Sequence, residues 1–276
     1  MIRSSVTMAL PALPVLVYEV VWERLGLGPM PSPLAVRRHG RDDAERRECQ
    51  ARAHRWLTSN SLGDAGNLDG DLVQAFRAMD DRDLALSLRY NDSTGRTAIG
   101  CFPQPTGRAL RVMMRDETVQ LGWMNATRMA EGMLEVLPDP PPGTGRPLRV
   151  NELALIRSGR AWRRSGLLGA GKRSLIEHGV DPGGAEWFLR VLSRAKATGQ
   201  ASAARSGVSG KELTTSRSLS FVDSNDGRYV VVRSYGSVTL MPADGATLAA
   251  LIKGLADDDF IESRPARDKG ALSHLW

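Results

Sequence analysis

Phe221–Leu255 reads F-V-D-S-N-D-G-R-Y-V-V-V-R-S-Y-G-S-V-T-L-M-P-A-D-G-A-T-L-A-A-L-I-K-G-L. The run Tyr229–Arg233 is β-branched and aromatic, the composition of a strand packed on one face. Tyr235-Gly236-Ser237 turns it, and Val238–Met241 runs back beside it. Asn225-Asp226-Gly227 is a turn signal ahead of that strand, so Ser218–Val222 is predicted to be a third strand paired to it. Asp244 is placed to cap a helix in which Leu248, Leu251, Ile252 and Leu255 recur on one face. The unit is a short antiparallel meander that ends in an amphipathic helix.

A similar unit lies upstream. Arg111–Met114, Thr118–Leu121 and the helical segment Asn125–Leu137 follow the same order. Val119 stands 119 positions before Val238. At that offset Leu121 falls on Leu240, Asn125 on Asp244, Met129 on Leu248, Met133 on Ile252 and Val136 on Leu255. The strand Ala98–Phe102 falls on Arg217–Phe221. Apolar residues meet apolar residues, and a capping residue meets a capping residue. Duplication of one meander-plus-helix predicts two halves that share a sheet about a pseudo-twofold axis. The alternative is coincidence between two amphipathic helices that follow hairpins. The fold class expected is α+β, a central antiparallel sheet with helical bundles and a quasi-twofold repeat.

The chain has 276 residues, enough for a sizeable core. Its hydrophobic content of 42% and charged content of 25% are those of a soluble globular protein. The net charge of +6 leaves nucleic acid or an acidic partner open. The arginines are spread rather than blocked, and many sit among acids, as in Arg41-Asp42-Asp43-Ala44-Glu45-Arg46-Arg47. That is the pattern of a solvated helix face. Cys49 and Cys101 are too few for a disulfide scaffold or a cysteine-rich metal site, and are read as reduced and structural.

The apolar run Val6–Trp22 is interrupted by Pro11 and Pro14 and contains Glu19, so it reads as neither a signal peptide nor a membrane helix. A strand at Val6–Leu10 and a helix from Leu13 to Leu25, with Pro14 in its first turn, fit better. The expected location is therefore the cytoplasm. Further helices are expected at Asp42–Thr58, with a narrow stripe of Cys49, Ala53, Trp56 and Leu57, and at Leu68–Met79. Leu84–Tyr90 alternates as a strand, and Asn91-Asp92-Ser93-Thr94-Gly95 turns it into Arg96–Phe102. Pro138–Pro147 is dense in turn formers and reads as a linker between an N-terminal half, 1–137, and a C-terminal half, 148–276, within one compact domain. After it, Leu148–Leu155 is expected as a strand, Arg157–Arg164 as a solvated basic loop, and Ser174–His178 and Gly184–Ala195 as helices. Ala197–Leu213 suits a poor strand or a loop, and the chain beyond Ala256 reads as weakly ordered.

Few residues suggest chemistry. Gly166-Leu167-Leu168-Gly169-Ala170-Gly171-Lys172-Arg173 nearly matches a phosphate-binding loop. Arg173 stands where a magnesium-holding Ser or Thr is required, however, and no apolar strand precedes it. His39, His54, His178 and His274 complete no zinc spacing, so surface or capping roles are expected. No nucleophile elbow or metalloprotease helix occurs. The expectation is no catalytic residue, no cofactor and no metal: a binding or structural protein. Trp162 among Arg157, Arg160, Arg163 and Arg164 is slender support for nucleic acid.

Val21-Trp22-Glu23-Arg24-Leu25-Gly26-Leu27-Gly28, Pro33-Leu34, His39-Gly40, Asp226-Gly227-Arg228-Tyr229 and Thr239-Leu240-Met241-Pro242-Ala243-Asp244 resemble the actinobacterial EspG family of ESX (type VII) secretion-associated proteins. The resemblance runs in the same order over nearly the whole chain. It implies a cytosolic chaperone, not an enzyme, that binds the apolar tip of a helical PE–PPE pair and keeps it soluble before secretion. It also implies contacts from a loop of the first meander, here Asn91, Asp92, Ser93, Thr94, Gly95 and Arg96, and from C-terminal helices around Trp187, Phe188 and Leu192. Core packing of Trp187 and Phe188, and an ordinary hairpin turn at 91–95, are the competing readings. The rival function is a nucleic-acid-associated or regulatory binding module.

Overall fold

In the computed structural model, the structure describes residues 6–64, 66–206, 212–215, 218–234 and 236–262. The chain is α+β and forms two compact units, residues 1–89 with 95–136, and residues 90–94 with 137–276.

In the first unit β1 (Val6–Ala9), β2 (Leu13–Pro14) and α1 (Val15–Arg24) precede α2 (Asp43–Ser59) and α3 (Gly70–Asp80). Then follow β3 (Leu84–Asp92), β4 (Gly95–Pro103), β5 (Arg108–Arg115), β6 (Thr118–Asn125), a 3-10 turn and α4 (Met129–Leu134). The sheet order is β1-β6-β5-β4-β3, with β2 beside the start of β6. Because side chains alternate across a pleat, Phe102, Leu110, Val112, Leu121 and Trp123 share one face. There they pack with Tyr18 and Trp22 of α1 and Phe76 of α3 in one core. The opposite face carries Cys101, whose Sγ lies 4.0 Å from the Met129 carbonyl at the start of α4. Pro14 stands at the N-cap of α1, one residue outside the expected first turn, because residues 13 and 14 pair with β6.

The stripe expected on α2 is present: Cys49, Ala53 and Leu57 are buried and Trp56 packs against the core. Arg46 joins it unexpectedly. Its guanidinium is buried against Glu19 of α1, with Nη1–Oε2 at 2.7 Å and Nη2–Oε1 at 2.9 Å, and it also meets Glu23. Such a pair costs desolvation on both sides and persists because its geometry is bidentate.

The second unit contains β7 (Leu148–Asn151), α5 (Glu152–Ser165), α6 (Leu168–Glu177) and α7 (Pro182–Ser193). β8 (Ala195–Ser206), β9 (Glu212–Thr215), β10 (Ser218–Ser224), β11 (Gly227–Ser234), β12 (Ser237–Pro242), α8 (Gly245–Gly254) and β13 (Phe260–Glu262) complete it. The sheet order is β8-β10-β11-β12-β7, with β9 on β8 and β13 on β9. Val150, Val222, Tyr229, Val231, Val238 and Leu240 form one core with Leu155, Leu175, Phe188 and Leu192 of the helices.

The internal repeat has a register. β5 shifted by 119 residues is β11, and the pair Leu110↔Trp123 becomes Tyr229↔Pro242. Asn125 and Asp244 are both helix N-caps, accepting from Thr127 N and Thr247 N. Upstream the offset changes. Ala98 pairs with Met114 and Ser218 with Arg233, so Ala98 answers to Ser218 and not to Arg217. A turn one residue shorter in the second copy absorbs the slip. Burial explains the choice: Ile99, Cys101 and Phe102 then match the buried Leu219, Phe221 and Val222.

Four further expectations change. The strand at 148 stops at Asn151, whose side chain caps α5, so Arg157–Arg164 is helical and not a loop. α6 begins at Leu168, ahead of the expected 174. The poor strand at 197 is a long one, β8. Its Ala197, Gly199, Ala201 and Ala203 are buried, and a Cβ on Gly199 would lie 2.0 Å from the Phe221 ring. Glycine stands at 199 because the Phe221 ring occupies the place of its side chain. Phe260–Glu262 is a strand, while Pro265–Trp276 lies outside the described residues.

Candidate partner-binding surface

The segment 138–147, read as a linker, is pinned to the second unit along β11. Arg228 N donates to the Pro141 carbonyl at 2.9 Å and Gly143 N to the Arg228 carbonyl at 2.9 Å. The Arg228 side chain is buried. Its Nε and Nη2 hold Asp223 at 2.7 and 2.9 Å, and Nη2 also reaches the Pro138 carbonyl at 2.7 Å. The Tyr90 hydroxyl donates to the same carboxylate at 3.2 Å. Gly143 lies flat on the Tyr229 ring, where an added Cβ would come within 2.1 Å. Turn-forming residues here serve close approach to an aromatic surface, not mobility.

Trp187 belongs to this strap. Its indole Nε1 donates to the Thr144 carbonyl at 3.0 Å, and its ring meets Tyr229 edge-on at 5.8 Å. Its neighbours Phe188 and Leu192 are fully buried in the core of the second unit, so their side chains are not on the surface. The apolar face of α7 around Phe188 and Leu192 is its core face, and the contacts that the resemblance implied there do not come from these two side chains.

The tip of the β3–β4 hairpin is polar. Asp92 Oδ1 accepts from Thr94 N at 2.7 Å and from Thr94 Oγ1 at 2.5 Å, an Asx-type turn. Asn91, Ser93, Thr94 and Arg96 are exposed, while Asp92 and Gly95 are half-buried. The hairpin can offer hydrogen bonds and one guanidinium, and no apolar area.

Apolar area is exposed on α5 and α6. Leu153 at the start of α5 is 62% exposed, Leu167 between the helices 67%, and Leu168 and Ile176 of α6 37% each. Of the other large hydrophobic side chains exposed among the described residues, Met8 lies in β1 and Ile261 in β13. The two helices form an antiparallel pair: Ser158 Oγ donates to the Gly171 carbonyl at 2.9 Å, and Arg157 Nη1 reaches His178 Nε2 at 2.7 Å. His178 Nδ1 lies 2.7 Å from the Ser174 carbonyl, which fixes the neutral tautomer with Nε2 as acceptor. Trp162 turns its ring toward the core.

The phosphate-loop-like stretch is divided between these helices. Gly166 ends α5 in the left-handed region, with φ +70°, and Gly169 and Gly171 lie inside α6. Lys172 donates to Glu186 of α7 at 2.6 Å, which holds that carboxyl below its ordinary range. A helix in place of a loop leaves no ring of backbone amides for a phosphate. Among the described residues no group of three or more His, Cys, Asp or Glu is placed to hold a metal, and no helix is long and apolar enough to cross a membrane.

Sequence reasoning missed Leu153, Leu167, Leu168 and Ile176. The available signal was Leu153 off the core stripe of α5, at helical spacing from Arg157, Arg160 and Arg164.

The EspG family model matches residues 14–254 of the chain. Among solved structures, the chain is similar to one described as the Mycobacterium tuberculosis type VII secretion system chaperone EspG5 in complex with a PE25–PPE41 dimer. The TM-score is 0.74 at 10% identity, covering 93% of this chain and 98% of the matched one. At that identity the likeness speaks to the fold. No curated protein sequence matches.

Proposed function

We propose that this chain, which belongs to the EspG family, is a cytoplasmic type VII secretion chaperone that binds the apolar tip of a PE/PPE-like helical pair and keeps it soluble. It works by binding and makes or breaks no covalent bond. The observation that carries this reading is the exposed aliphatic set on α5 and α6, Leu153, Leu167, Leu168 and Ile176. Exposed aliphatic side chains gathered on one helix pair are a cost in water and mark a surface meant to be covered. Covering each returns roughly 1 kcal/mol or more, so the set supplies about half of what micromolar affinity requires. Polar contacts supply the remainder. For these we propose the hairpin tip Asn91–Arg96, together with the exposed edge of Trp187. Phe188 and Leu192 act indirectly, by fixing α7 from beneath.

Co-expression with PE–PPE pairs from the same genome, followed by size-exclusion chromatography with light scattering, tests the reading. A soluble complex holding one copy of each chain is expected. Leu153→Asp with Ile176→Asp should abolish it, while Ile261→Asp, exposed in β13, should leave it intact. Pairs that stay aggregated beside a folded, monomeric partner would refute it.

A further inference from the structure

Between Glu152 and Glu177 every charged residue is a cation. Arg157, Arg160 and Arg164 fall at helical spacing on the outer stripe of α5 that begins at Leu153, opposite its buried Ala154, Leu155, Ser158 and Gly159. Arg173 lies on the outer stripe of α6 that ends at Ile176, opposite the buried Gly171, Ser174 and Leu175. Arg160, Arg163, Arg164 and Arg173 are exposed, and none of them makes a side-chain hydrogen bond or ion pair with a described residue. The acids bordering this stretch are committed elsewhere or lie at its edge: Glu152 pairs with Arg233, Glu186 with Lys172, and Glu177 ends α6. Arg163 and Arg164 also stand in the last turn of α5, where the helix dipole favours cations. That accounts for two of the charges and not for Arg160 or Arg173.

We infer that the α5–α6 face selects a partner whose apolar tip is collared by carboxylates. The inference rests on the chaperone reading above and adds the charge that distinguishes one helical partner from another. A mixed surface of aliphatic residues and unpaired guanidiniums gains little from a neutral tip, whose burial would strand the charges. It repels a basic tip, and it is completed by Asp or Glu flanking the aliphatic contacts. Nucleic acid fits less well. The exposed apolar residues are aliphatic, and Trp162, the one aromatic side chain among these arginines, is half-buried and packs against the core.

The test uses designed helical hairpins with one Leu- and Phe-bearing tip, flanked in three versions by Glu, Gln or Lys, and binding to the full chain measured by biolayer interferometry. The Glu version should bind about tenfold more tightly than the Gln version at low salt, the Lys version more weakly still, and the spread should close as salt screens the pairs. Charge reversal at three exposed sites (Arg160→Glu, Arg164→Glu and Arg173→Glu together) should invert the preference toward the Lys version. Leu153→Ser, which removes aliphatic area and adds no charge, should weaken all three alike. Equal binding of the three versions, or a preference that survives the charge reversal, overturns the collar and leaves the chaperone reading standing. Binding of none of them, or random-sequence DNA bound more tightly than any, overturns both.

Discussion

Arg228→Met tests whether the buried guanidinium, and not the turn-rich composition of 138–147, holds the strap in place. Methionine keeps most of the side chain's length and apolar stem but removes every donor. In the native chain the guanidinium is 1% exposed and the Asp223 side chain 9%. The pair is joined by contacts of 2.7 and 2.9 Å. Without Arg228, Asp223 keeps, among the described residues, only the Tyr90 hydroxyl at 3.2 Å, which leaves a nearly bare buried carboxylate at a cost of about 3–5 kcal/mol. The Pro138 carbonyl loses its donor at 2.7 Å, adding about 1 kcal/mol. The double variant Arg228→Met, Asp223→Leu removes the stranded charge, so only the orphaned carbonyl and hydroxyl remain, at about 1–2 kcal/mol. The double variant should therefore be more stable than the single one. Urea unfolding followed by far- and near-ultraviolet circular dichroism measures both. A single variant that loses under about 1 kcal/mol, or a double variant no better than the single, would refute the anchor.

Gly143→Ala would place a methyl 2.1 Å from the Tyr229 ring. It should lower stability by about 1–3 kcal/mol and open 138–147 to limited proteolysis; unchanged protection would count against close approach as the reason for glycine. Burial pushes the Cys101 thiol up from its ordinary 9.0 to about 12, so the native thiol should resist disulfide reagents until the chain unfolds. The folded state keeps a proton that the unfolded state releases. Stability is complete below about pH 9 and falls as pH rises toward 12, by up to about 1.4 kcal/mol per unit. Cys101→Ala should reduce that slope in urea midpoints taken across the window, and an unchanged slope would assign it to other groups.

Much of the frame was legible because its signals are local. Asn125 and Asp244 cap helices from positions readable beside an apolar period, and the β5–β6 register repeats in β11–β12 without a gap. The rest was hidden where a local signal carried two meanings. Pro, Gly and Asp at 138–143 mark a chain that leaves regular structure, and nothing local says that Arg228, far along the sequence, receives it. Small residues in β8 have poor strand propensity, and nothing local says that the ring of Phe221 makes glycine necessary at 199.

The partner-binding surface was harder to read for a related reason. Helical periodicity shows that a face is covered without showing what covers it. Trp187, Phe188 and Leu192 carry a strong apolar pattern, and the chain itself covers it: Phe188 and Leu192 pack in the core, and Trp187 holds the strap. Leu153 and Ile176 carry no pattern of that kind. Leu153 shares the outer side of α5 with Arg157, Arg160 and Arg164, and Ile176 shares that of α6 with Arg173; the inner side of each helix is already full. A residue that the core does not need and water does not favour is the better mark of an interface. By that criterion we place Arg160 and Arg164 with Leu153 on the proposed binding surface, because both are exposed and neither makes a side-chain hydrogen bond or ion pair with a described residue.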